Sequence, residues 1–180
     1  MLGAEAKLIN SLEYQLAIGA RDDAASNAAN ASIVSLLRKV LDGDVAQVAT
    51  KTYTFATATT GTVDSHKIFT VTGVVRVKLY AVCTTGLVAA VGGATIEVGT
   101  PASTAGLIAQ TLAADLIAGE IWDDVTPTTK IEPDSNIPEV IIGDGADISI
   151  KIATQAVASG VLEFRVEYTP IPSDGAVVAT

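Results

Sequence analysis

The chain predicts a mainly β fold, an antiparallel β-sandwich or jelly-roll-like head preceded by a short helical N-terminal arm. Three observations predict it. The hydrophobic grammar changes near Thr50: before it two helix-period patterns flank an Ala-, Asn- and Asp-rich stretch, and after it Thr/Val/Ile alternation is cut by glycines. Alternation is cleanest at 161–168, where Val161, Glu163, Arg165 and Glu167 oppose Leu162, Phe164, Val166 and Tyr168, so one strand face is wet and the other dry. Turn chemistry recurs at Gly73, Gly92-Gly93, Gly99-Thr-Pro101, Gly143-Asp-Gly145 and Ser159-Gly160, at a spacing typical of sandwiches and jelly rolls. The division is an arm over 1–49 and a head over 50–180.

In the arm, Leu8, Leu12 and Leu16 recur at helical spacing up to Gly19. A second helix is expected from Ile33 to Leu41, with Ser32 as N-cap and Arg38 and Lys39 in the last turn, where cations suit the helix dipole. Its stripe of Ile33, Leu36, Leu37, Val40 and Leu41 is too short to hold a helix alone in water, so it must pack on something. The linker between them is poor in bulky apolar residues, which lets the first helix reach away from the head. Docking on a neighbouring subunit, or on copies of itself, is therefore favoured over folding back.

In the head, strands are expected at 52–56, 67–71, 74–82, 94–98, 106–110, 120–122, 139–142, 147–154 and 161–168. No helix-length periodic run separates them, apart from a possible short turn at 112–117, and this rejects a parallel α/β sheet. The segment 79–99 has the length of a membrane span but carries Gly86, Gly92, Gly93 and Gly99, which suits two strands and a turn better. The longest irregular piece, 123–136, holds Pro127 and Pro133 and reads as a surface loop, a common place for binding.

Hydrophobic residues make up 49% of the 180 and aromatics only 4%, so a core of small side chains would gain from extra burial against other subunits. The net charge of -9 argues against nucleic acid, whose phosphates require clustered Lys and Arg. Cys83 is the single cysteine, so no intrachain disulfide can form, and it reads as core. The N-terminus lacks a basic segment followed by a continuous apolar run, which predicts synthesis in a cytoplasm.

Chemistry-bearing patterns are sparse. Asp64, Ser65 and His66 are three catalytic residue types in a row, but neighbours in a strand point to opposite faces, and a triad is a spatial arrangement. His66 is the sole histidine, which excludes a multi-histidine metal site. Asp144 and Asp147 lack the spacing of a calcium loop and read, like Asp22-Asp23 and Asp42 with Asp44, as solvated turn residues. Val91-Gly92-Gly93 precedes a strand pattern, not a phosphate-binding helix. No catalytic residue, cofactor or metal is expected. Trp122 with Asp123 and Asp124 is the one candidate ligand-facing loop, although a single tryptophan at a strand end is more often core.

The arm segment Asp22-Asp-Ala-Ala-Ser26, followed by a small polar spacer and Ser32-Ile-Val-Ser-Leu-Leu-Arg-Lys-Val-Leu41, resembles a segment recurring in tailed-bacteriophage virion proteins. There a D-x-A-S-like linker precedes a short S-I-x-x-L-x-K/R-x-L helix; here Asn and Ala stand where Ser, Thr and Gly are commoner. Ile68-Phe-Thr-Val-Thr-Gly73, Ala94-Thr-Ile-Glu-Val-Gly99, Leu107-Ile-Ala-Gln110, Gly119-Glu-Ile-Trp-Asp123 and Ser173-Asp-Gly-Ala-Val-Val178 resemble small β-rich phage structural proteins. The resemblance implies a non-enzymatic virion component, a capsid decoration, head-fibre or tail-associated protein. It also implies a homo-oligomer, preferably a trimer, on the outer surface of the particle. Its partners would be a major capsid or tail protein, with no nucleic acid and no membrane. The assembly surface would be Leu8, Leu12, Leu16, Ile33, Leu36, Leu37, Val40 and Leu41. A tail-associated receptor- or glycan-binding adhesin is the alternative, and an exposed Trp122 would favour it.

Overall fold

The computed structural model describes residues 46–171 and 174–180; the expected arm helices and their apolar stripes lie outside the described residues. Eleven strands follow in order: β1 Gln47–Thr54, β2 Ser65–Thr72, β3 Val75–Ala89, β4 Thr95–Thr100, β5 Ser103–Leu112, β6 Glu120–Trp122, β7 Thr128–Thr129, β8 Glu139–Ile142, β9 Ile148–Ala153, β10 Val157–Pro170 and β11 Ala176–Ala179. Two single 3₁₀ turns, Ala113–Asp115 and Asp134–Asn136, complete the described elements.

The strands form two sheets. One runs β1-β10-β3-β6-β7, with β8 also pairing with β3; the other runs β11-β2-β9-β4-β5. Every pairing is antiparallel. The pairs are nested: β4 with β5 innermost, then β3 with β6 and β8, β2 with β9, and β1 with β10 outermost. Successive pairs alternate between the sheets, so the described residues form one long hairpin ribbon wrapped around a shared core, which is jelly-roll connectivity.

Side-chain alternation sets which face turns inward. On β10 the dry set Leu162, Phe164, Val166 and Tyr168 is buried, and on β3 Val75, Val77, Leu79, Ala81 and Cys83. Their counterparts across the sandwich include Ile148, Ile150 and Ile152 of β9 and Ile96 and Val98 of β4, all in one continuous core. Phe164 is its aromatic centre, with ring centroids 6.5 Å from Tyr53 and 6.4 Å from Trp122. In β2 the adjacent Ile68 and Phe69 are both buried, because the register to β9 shifts between Lys67 and Phe69.

The structure departs from the sequence reading in informative ways. β1 begins at Gln47, so residues 47–49 belong to the sheet, paired with Tyr168, Glu167 and Val166. β3 runs on through Gly86 to Ala89, and no helix among the described residues is long and apolar enough to cross a membrane. Ser159-Gly160 is not a turn: both residues lie inside β10, where the register to β3 shifts on either side. Gly160 has φ +128°, and a Cβ there would meet the Leu87 side chain at 2.4 Å, so the position requires glycine and marks a β-bulge. β7 and β11 are not among the expected strands: Thr128–Thr129 has no apolar residue and Ala176–Ala179 is apolar throughout, so neither alternates.

Asp144 and Asp147 also do more than sit in a solvated turn. Asp144 Oδ1 accepts from Gly73 N (2.8 Å) and Asp147 Oδ1 from Val71 N (3.1 Å), fastening the β8–β9 turn to the end of β2. Lys67 lies 2.8 Å from Asp147 Oδ2, and its hydrogen bond is the main cause that holds the Asp147 carboxyl below its ordinary range.

Replacing Phe164 by Ala should cost about 3–5 kcal/mol of unfolding free energy in a urea titration, because it opens a hole at the centre of the core. Arg165→Ala, on the wet face of the same strand, should change it by about 0.5 kcal/mol or less.

Candidate functional site

The ligand-facing candidate is a corner where β5 meets β6. Trp122 ends β6, whose Ala81↔Trp122 register places the indole over the core; it is fully buried and Nε1 donates to Thr111 Oγ1 at 2.8 Å. Thr111 Oγ1 lies 3.1 Å from Ala109 O and 3.2 Å from Asp124 O, one of which takes its single proton. The indole thus ties the edge of one sheet to that of the other. Asp123 is also buried, only 2% exposed, and neither of its oxygens has a hydrogen-bond partner among the described residues. Of the three predicted loop residues only Asp124 is open to solvent. Its Oδ1 caps a turn by accepting from Thr126 N at 2.6 Å.

The piece that follows reads from sequence as an irregular surface loop but is internally braced. β7 pairs back on β6 through Glu120↔Thr129 and Ile121↔Thr128. Glu132 accepts from Thr128 Oγ1 and Asn136 Nδ2, each at 2.6 Å, and these bonds hold its carboxyl below the ordinary range. Lys78 reaches Asp134 at 2.7 Å, tying the loop to β3. Burial, then the negative charges of Glu132 and Asp124, push the Asp123 carboxyl up to about 6. No sequence signal marks Asp123 as the buried member of an acidic pair, since it follows directly on a buried tryptophan instead of alternating with it.

The row Asp64, Ser65 and His66 is split by the strand pleat. Asp64 Oδ1 accepts from Ser65 N at 2.7 Å. His66 Nε2 lies 3.0 Å from Thr62 O and 3.3 Å from Thr62 Oγ1, with its ring 6.2 Å from that of Tyr53. The imidazole braces the 55–64 loop together with Tyr53, whose hydroxyl donates to Thr60 O at 2.7 Å. Burial pushes that phenol up to about 12. Ser65 lines a cleft with Gly99, Pro101, Thr104, Ser149 and Lys151 on the second sheet, and with His66 it also borders an open surface depression beside Tyr53. Glu97, opposite Lys151 in register, is largely covered there and accepts from Gln110 Nε2 at 3.3 Å.

Cys83 is fully buried, with Sγ 3.3 Å from Thr85 O. Burial, followed by the charge of Glu120, pushes the thiol up to about 11, far from the thiolate that reactive cysteines require. The arm residues Leu8, Leu12, Leu16, Ile33, Leu36, Leu37, Val40 and Leu41 lie outside the described residues.

No protein-family model matches the chain, and no curated protein does. Among solved structures, it is similar to a chain of the cyanophage Pam1 capsid asymmetric unit (17% identity, 69% of this chain and 84% of that one, TM-score 0.39). It is also similar to a chain of the acidic stable capsid of Helicobacter pylori bacteriophage KHP30 (11% identity, 74% and 93%, TM-score 0.41). A third likeness is to the disulfide-linked pili of Bacillus endospore appendages (14% identity, 70% and 88%, TM-score 0.34). The strand order, established without them, defines the fold.

Trp122 should fluoresce as a buried indole, shifted to the blue and shielded from iodide. Trp122→Phe should cost about 1–3 kcal/mol in chemical denaturation, through the lost hydrogen bond to Thr111 and the vacated volume.

Proposed function

We propose that the protein is a non-enzymatic structural component of a tailed-phage virion, of the capsid decoration or head-fibre type. Made in the host cytoplasm, it docks on a major capsid or tail protein through the apolar stripes of its N-terminal arm and presents the β head on the outer surface of the particle. A trimer is the preferred assembly. The observation that carries this reading is the burial of Trp122. The chain's largest aromatic surface, the natural stacking platform for a sugar or receptor, is spent on joining the two sheets. This supports a scaffold over an adhesin. The sequence resemblance of the arm and of several head segments to phage virion proteins supports the same reading, as does the jelly-roll connectivity, which viral capsid domains share with lectins and cupins.

The test is truncation with a readout in the particle. Because β1 begins at Gln47, the cut that removes the arm and spares the sheet falls before residue 46. The remaining chain should fold, keep its circular-dichroism strand signature and fail to enter particles; normal incorporation would contradict the assembly role of the arm. In the full chain, Leu36→Asp with Leu37→Asp should reduce incorporation in the same way. Sedimentation of the full chain should give a multiple of 18.3 kDa, three for the trimer, and a monomer at micromolar concentration would contradict the oligomer.

A further inference from the structure

We infer that Asp123 is a proton-operated latch, which holds the head tighter in mildly acidic than in neutral surroundings. The inference stands independently of the proposed function. Its basis is a buried carboxyl with both oxygens unpartnered among the described residues, placed between Trp122, which pins the two sheets together, and Asp124, whose carbonyl meets Thr111. An ionised carboxylate there is taken from water with only the residue's own backbone N–H to offset part of the loss, whereas the neutral acid loses far less.

The surrounding charges all push the same way. Asp124 follows in the chain, and Glu132 faces Asp123 from beyond β7; both are acidic and both raise its affinity for a proton. Glu132 has already committed its two oxygens to Thr128 and Asn136. Glu120 of β6 accepts from Ile117 N at 2.8 Å, and β5 offers the uncharged Thr111 and Gln110. Lys78 is held by Asp134, Lys130 is exposed, and no cation is among the groups that shift Asp123. Nor do the carboxylates converge as a cation site would demand: no group of three or more His, Cys, Asp or Glu does so among the described residues.

The sign follows from linkage. The folded-state value of about 6 lies above the ordinary 3.8, so the ionised form costs stability in full above about pH 6. As pH falls through that value the folded state takes up the proton before the unfolded one, and stability is gained down to about 3.8. Glu132 and Asp147, whose carboxyls are held low, act in the opposite sense, but their contribution fades only as pH falls below the ordinary 4.5 and 3.8. The interval from about pH 7.5 to about pH 5 therefore isolates Asp123 from them.

Urea unfolding of the full chain should show the unfolding constant falling about tenfold from about pH 7.5 to about pH 5. In Asp123→Asn that fall should vanish, and the variant should be the more stable protein at the upper pH. Carbon-detected NMR of the wild-type chain gives a second readout that needs no variant to fold: the Asp123 carboxyl should titrate with a midpoint near 6. A midpoint in the ordinary aspartate range, as a bridging water would produce, or the same pH profile in wild type and Asp123→Asn, would overturn the latch.

Discussion

The antiparallel pairing of β3 with β10 is the constraint on which the rest of the head depends. It runs from Val75↔Pro170 to Ala89↔Val157, and β1, β6 and β8 attach to the sheet only through one or other of these two strands. Each buried Leu, Val or Phe along it contributes roughly 1.5–3 kcal/mol, which must offset the chain entropy without a disulfide. The register shifts around Ser159-Gly160 let so long a pair persist: β3 carries the extra residue opposite this point, and glycine alone fits there against Leu87. The second sheet closes over this spine with the Ile148, Ile150 and Ile152 row of β9.

That spine was legible in the sequence because it obeys the period-two rule. Leu162 to Tyr168 alternate with charged or exposed neighbours, and β6 and β8 fall where their short apolar runs predict. What the sequence concealed has a physical cause in each case. Gly160 has the composition of a turn but the geometry of a bulge, a distinction made by Leu87 and Gly86 on another strand. Asp144 and Asp147 look like solvated turn acids, yet accept backbone N–H groups of β2 and its following turn, far away in sequence. At the candidate site, Trp122 and Asp123 are adjacent and both buried, which no alternation pattern can announce, and only Asp124 behaves as a loop acid should.

The same geometry bears on function. His66, Tyr53 and Trp122 are the polar-tipped rings one would inspect first for chemistry or recognition, and each has a structural bond: to Thr62, to Thr60 and to Thr111. Cys83 is held as a thiol in the core. These three rings thus fasten loops and a sheet edge. Asp123 is different: a buried acid whose oxygens have no partner from another residue among the described ones, it makes the corner pinned by Trp122 sensitive to protons.

In the proposed role the head is the displayed part of the chain and the arm the docking part. The most direct measurement is a cryo-electron microscopy map of the intact particle at strand resolution, with mass spectrometry of the same purified particles. The account predicts many copies of the chain in the particle, with the β1-β10-β3 sheet visible in a projecting head and the arm seated against a capsid or tail protein. Particles from which the chain is absent, while it remains free in the lysate, would contradict it.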